Sequence, residues 1–210
     1  MTYMIKKNAI LITLFLSSCA FIDYTTLPSL AKSIVFGAKD ININQEFFDD
    51  QKYSFVKVRI GKHSIAIFVL SRIDDNKFYW MASNGARLTT LRDGRPIQLT
   101  SESYNFQIIP VSDYINISKT QTPYEYFISL NDPKALFNQA AILLDVGSSN
   151  IDYLGGKKSV NITKEEVKSL SMRWDYNNIY YRDNSGLGIR SELSFSPIVG
   201  KLELDFYYKF

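Results

Sequence analysis

From Tyr53 onward, apolar and polar residues alternate in short runs, and each run stops at turn-forming residues. Val56, Val58 and Ile60 alternate with Phe55, Lys57 and Arg59 before Gly61-Lys62. At the other end Leu202, Leu204, Phe206, Tyr208 and Phe210 fall on one side, and Lys201, Glu203, Asp205, Tyr207 and Lys209 on the other. A period of two is the signature of β-strands. Between these limits, strands are expected over residues 78–81, 87–91, 97–99, 106–110, 124–130, 140–146, 157–162 and 187–195. Residues 64–70 are nearly all apolar and suit a strand covered on both faces. Met172, Trp174 and Tyr176 share one face of a further long strand. Arg92-Asp93-Gly94-Arg95 is a hairpin turn, because Asp-Gly accepts positive φ, and Asn184-Ser185-Gly186 is another. The 14 Tyr and 14 Phe add to the strand preference. Short helices suit residues 30–36 and 134–139, residues 163–166 read as a turn or brief helix, and residues 42–50 as a polar loop. The expected fold is all-β: a mostly antiparallel curved sheet or partly closed barrel with one or two short helices.

The N-terminus carries a different signal. Lys6-Lys7 precede the apolar residues 9–16, and Ser17-Ser18 lead directly into Cys19, the one cysteine of the chain. A cationic start, a short apolar run and small residues before a cysteine make a bacterial lipoprotein signal. The run is shorter than the roughly 20 apolar residues of a membrane span. The reading divides the chain into a signal peptide (1–18), a lipidated tether with a first short element (19–50) and a single β domain (51–210). Acyl chains on Cys19 would attach the mature protein to a membrane. Ala20 follows the cysteine; by similarity to enterobacterial lipoproteins this implies the outer membrane, with the domain facing the periplasm.

Few catalytic chemistries are open to this composition. Apart from Cys19 there is no thiol, and His63 is the sole histidine, beside Ile65, Ile67 and Val69. This leaves no His-based or Cys-based zinc site and no Cys-His pair. Gly-x-Ser-x-Gly and phosphate-cradling motifs are absent. Asp49-Asp50, Asp74-Asp75 and Glu165-Glu166 read as solvated turn acids, and Asp145 as a strand end. No cofactor is called for, and the expectation is a protein without catalytic activity. The chain holds 24 Lys+Arg against 21 Asp+Glu; without Lys6 and Lys7, 22 basic residues remain. So even a balance gives no basic patch for nucleic acid.

The aromatic and arginine residues suit a polysaccharide ligand or a protein partner. Trp80, Trp174, Tyr176, Tyr180 and Tyr181, with Tyr79, offer rings for sugars. Arg87, Arg92 and Arg95 offer paired donors for a carboxylate. The same aromatics also suit core packing. The alternation that ends at Phe210 fits the terminal strand of an integral outer-membrane barrel as well as a sheet with one wet face. A lipid or lipoprotein carrier enclosing an apolar cavity is a further alternative.

The order of parts resembles the YjbF family, which includes the group 4 capsule polysaccharide lipoproteins. The resemblance rests on the lipobox, the aromatic strand with Trp80, the Gly94-Arg95 pair, Met172-Arg173-Trp174 and the amphipathic last strand, and is weak over residues 105–156. It implies an accessory role in export or surface assembly of capsule or other exopolysaccharide, alongside outer-membrane and periplasmic export proteins. It implies no catalytic residue.

Overall fold

The computed structural model describes residues 43–62, 65–102, 104–111, 121–131, 134–195 and 200–210. Cys19, the signal segment, the helix expected at 30–36 and His63 lie outside the described residues. After one short helix, α1 (Gln45–Asp50), the described chain forms twelve strands: β1 (Phe55–Ile60), β2 (Ala66–Asp74), β3 (Lys77–Ala82), β4 (Arg87–Leu91), β5 (Pro96–Thr100), β6 (Asn105–Pro110), β7 (Pro123–Asn131), β8 (Lys134–Tyr153), β9 (Gly156–Ser169), β10 (Trp174–Arg182), β11 (Gly188–Leu193) and β12 (Leu202–Tyr207). Each strand pairs antiparallel with its sequence neighbours, and β12 returns to pair with β1, so the sheet is a closed barrel. Closure removes the free edges that an open sheet would present.

Alternation decides which side chains enter the barrel. The row Leu70, Trp80, Leu88, Leu99, Phe106, Leu130 runs in register across β2 to β7 and points inward. Trp80 is 1% exposed, and its indole N–H donates to Thr90 Oγ1 at 3.0 Å. Phe206 packs against Trp80 with ring centroids 5.7 Å apart, and Tyr208 stacks on Phe206. Each fully buried side chain of this kind contributes about 1.5–3 kcal/mol relative to an exposed one. The outward positions of β1, β11 and β12 carry charges instead. Lys57 and Arg190 both pair with Asp205, at 3.0 and 2.5 Å, and Lys201 pairs with Glu192 at 2.6 Å. An apolar interior and a charged exterior invert the polarity of a barrel that sits in lipid.

Four segments differ from the sequence reading. Residues 134–139 are strand because β8 pairs along β7 there, and residues 163–166 are strand because β9 is held between β8 and β10. Residues 45–50 are helix. Asn44 caps it, its side-chain oxygen accepting from the Phe47 N–H at 2.8 Å. The apolar run of β2 is covered on both faces only at its start. Ile67 lies under a small external cluster, while Val69 is exposed.

β8 and β9 outrun their neighbours. Beyond Ile142 and Asn161 they pair only with each other, forming a two-stranded arm. The arm bends at a bulge between Asp145 and Gly147. Gly147 adopts φ +109 and donates its N–H to Asp145 Oδ1 at 2.9 Å, so Asp145 is an exposed bulge residue in mid-strand. At the arm's tip Tyr153 stacks on Tyr207 and donates to the Phe206 carbonyl at 3.1 Å. Together with Leu154, Phe55, Phe47 and Phe48 it forms a second core outside the barrel.

Candidate functional site

The eight aromatic and arginine candidates divide between interior and surface. Trp80, Tyr176 and Tyr180 are buried, and Trp174 is half-buried, stacked on Tyr176 at 4.5 Å. Arg95 is 2% exposed, and its Nε donates to Asp93 Oδ2 at 2.8 Å. The same oxygen accepts from Arg182 Nη2 at 3.2 Å, while Arg182 Nη1 donates to Thr163 at 2.7 Å. The Arg92–Arg95 turn thus docks across the barrel against β10 and β11. Gly188 donates its N–H to the Arg92 carbonyl, and a Cβ on Gly188 would lie 2.5 Å from the Gly94 nitrogen. The Arg92 side chain is exposed at this turn. Tyr181 points outward and donates to Glu192 at 3.1 Å. Of the eight, Arg87 and the buried Trp80 line a surface groove, Arg87 with its side chain exposed.

Inside, β7 to β10 enclose a polar cluster. Glu165 is fully buried, which corrects its reading as a solvated turn acid. It accepts from the Tyr124 hydroxyl, from the Tyr180 hydroxyl at 2.7 Å and from Asn178 Nδ2 at 2.6 Å. Tyr176 donates to Gln139 at 3.3 Å, and Gln139 to Ser169 at 3.1 Å. Burial first, and the Glu165 charge second, push the Tyr176 hydroxyl well above the usual tyrosine range. Every polar group named here is satisfied within the cluster. Among the described residues no group of three His, Cys, Asp or Glu side chains could hold a metal ion.

The groove lies on the outer face of β2 to β5. Its lining includes Arg72, Tyr79, Met81, Arg87, Thr89, Gln98 and Thr100, and its volume is about 720 Å³. Strand register builds it. Arg72, Tyr79, Thr89, Gln98 and Gln107 are successive cross-strand neighbours, and Met81, Arg87, Thr100 and Asn105 form the next outward row. A bulge between Leu70 and Arg72 sets the edge of the groove; there Ser71 donates to the Tyr79 carbonyl at 2.9 Å. The Arg72 guanidinium sits over the Tyr79 ring, 4.2 Å from its centroid, and meets Asp74 at 3.7 Å with both side chains exposed. The lining contains no Asp or Glu. Of these residues the sequence reading singled out Tyr79 and Arg87. It missed Arg72, Thr89, Gln98, Thr100 and Gln107, whose signal is their recurrence at outward positions of consecutive hairpins.

A second hollow, of about 340 Å³, is lined by Val58, Ile60, Ala66, Phe68, Ala86, Leu99 and Tyr104, with Asn84, Ser101 and Glu102 adding polar atoms. It adjoins the turns that follow β1, β3 and β5.

A filled, closed antiparallel barrel with a charged and polar exterior defines the class. Within that class the chain belongs to the family described as "Group 4 capsule polysaccharide lipoprotein gfcB, YjbF", which it matches over residues 29–206. Its fold is similar to the crystal structure of the hypothetical lipoprotein YmcC from Escherichia coli (K12), with a TM-score of 0.68 and 18% identity over 92% of this chain and 98% of that one. No curated protein sequence matches this chain.

Proposed function

We propose that this protein is a non-catalytic accessory in the export or surface assembly of a capsule-type polysaccharide, held by acyl chains on Cys19 at the periplasmic side of the outer membrane. The observation that carries this reading is the groove on β2 to β5. It is a row of neutral hydrogen-bonding side chains with two arginines, on the outside of a barrel whose buried acid is enclosed and fully bonded. Such a face suits a glycan or a partner export protein. Family membership supports the capsule connection. Confinement to a membrane surface raises the effective concentration of weak contacts.

The test is the amount of surface-attached and released polysaccharide in cells lacking this chain, with rescue by wild type or by Cys19→Ala. A drop that only the lipidated form restores is the expected result. Unchanged polysaccharide, under conditions where the cell makes it, would overturn the reading.

One observation favours a lipid carrier instead: the mostly apolar 340 Å³ hollow. It lies near the lower end of the range for small-ligand sites, about 300–1,000 Å³, which suits a compact apolar group better than a two-chain lipid. Mass spectrometry of material extracted from the gently purified protein decides between them.

A further inference from the structure

We infer that the ligand of the β2–β5 groove is a carboxylate-bearing polysaccharide, laid across the strands along the Arg72–Gln107 row. This rests on the function proposed above and names the chemistry of its ligand. Five strands span four gaps of about 4.8 Å, so the row is roughly 19 Å long, enough for several sugar rings. Each of β2 to β5 is paired on both sides, so these strands offer no open edge to a peptide, and recognition at this face falls to side chains. Thr89, Gln98, Thr100 and Gln107 each donate and accept, as sugar hydroxyls do. Gln98 Nε2 meets Thr100 Oγ1 at only 3.4 Å, a weak bond that a ligand can replace.

The charge pattern selects an acidic glycan over a neutral one. On β1, β11 and β12 the outward cations are ion-paired. In the groove, Arg87 has no ion pair among the described residues. Arg72 keeps only its exposed contact to Asp74, of a kind that contributes little. The Tyr79 ring holds the Arg72 guanidinium in place, and so lowers the entropy lost when a carboxylate binds. Arg72 and Arg87 stand two strands apart, about 10 Å across the sheet, so they address carboxylates on different sugars. Two cations amid neutral donors do not make the continuous basic stripe that nucleic acid requires.

The test uses the full lipoprotein in detergent, with oligogalacturonate as the acidic probe and a dextran oligosaccharide as the neutral one, both titrated by calorimetry. Oligogalacturonate is expected to bind at least roughly tenfold more tightly than dextran, and to weaken as salt rises. Arg87→Gln and Arg72→Gln each weaken it roughly tenfold, as expected for loss of a charge-assisted pair. Arg59→Gln, on β1, leaves binding unchanged. Circular dichroism confirms that each variant is folded. Equal affinity for the two probes, no binding of either, or wild-type affinity in both groove variants would each overturn the inference. In cells, full rescue of polysaccharide by the Arg72→Gln, Arg87→Gln double variant would also overturn it and leave the proposed function standing. Unchanged polysaccharide in cells lacking the chain removes the proposed function and this inference with it.

Discussion

Glu165 shows what a buried charge costs and what holds it. A carboxylate sealed in a barrel, with no ion pair among the described residues, is tolerable only if its lone pairs are filled, and here two tyrosine hydroxyls and one amide fill them. Its donors come from β7 and β10, so one side chain ties three strands together. Glu165→Leu removes the acceptor and strands all three donors. At about 1–3 kcal/mol for each unsatisfied group, the expected loss is at least about 3 kcal/mol in urea unfolding. Tyr180→Phe, which deletes one donor to a charged acceptor, is expected to cost about 1.5–3 kcal/mol. A Glu165→Leu protein as stable as wild type would mean that the cluster is not a tie. The residue was invisible from sequence for a physical reason. Glu165-Glu166 reads as a polar pair, and the partner that makes the buried site tolerable, Tyr124, is 41 residues away.

Strands with clean alternation and a Gly-containing turn, such as β1, β4, β5 and β12, were legible because local pattern and tertiary role agree. β8 and β9 were not. Residues 134–139 hold good helix formers, and the strand there is imposed by pairing with β7. The groove was legible only in part, since alternation shows which side chains point outward while register across three hairpins shows which become neighbours. The arm formed by β8 and β9 has its own measurable consequence. Its docking half-buries Tyr153, and burial first, then the charges of Asp205 and Asp183, push that hydroxyl up to about 12. An undocked tyrosine titrates near 10. Below pH 10 both forms keep the proton and docking is unaffected. Between pH 10 and 12 the undocked arm releases its proton first, so docking weakens as pH rises. The tyrosinate absorbance of wild type minus Tyr153→Phe isolates this group. The expected midpoint is near 12, and a midpoint near 10 would show that the arm does not rest on Tyr207 in solution.

For the molecule as a whole, the decisive property is the direction of its polarity. A lipid-facing barrel presents an apolar band outward and polar side chains inward. This one buries Val56, Val58, Trp80, Leu88 and Phe206, and turns Lys57, Arg59, Arg190, Glu203 and Asp205 outward. An Arg or Lys forced to the bilayer midplane costs about 2–4 kcal/mol, so Lys57, Arg59 and Arg190 alone make insertion of this wall unfavourable. The charges of this wall therefore oppose its insertion into the bilayer core. In the proposed reading attachment comes from the acyl chains on Cys19, at about 0.8 kcal/mol per buried methylene. Because the two contributions are separable, removing the anchor should move the protein without unfolding it. Cys19→Ser is expected to shift the protein from the membrane pellet to the soluble periplasmic fraction, with circular dichroism and melting temperature unchanged. A Cys19→Ser protein that stays in the membrane and changes gel mobility on heating would mean that the barrel itself is inserted. The outward charges would then have to be covered by something other than water.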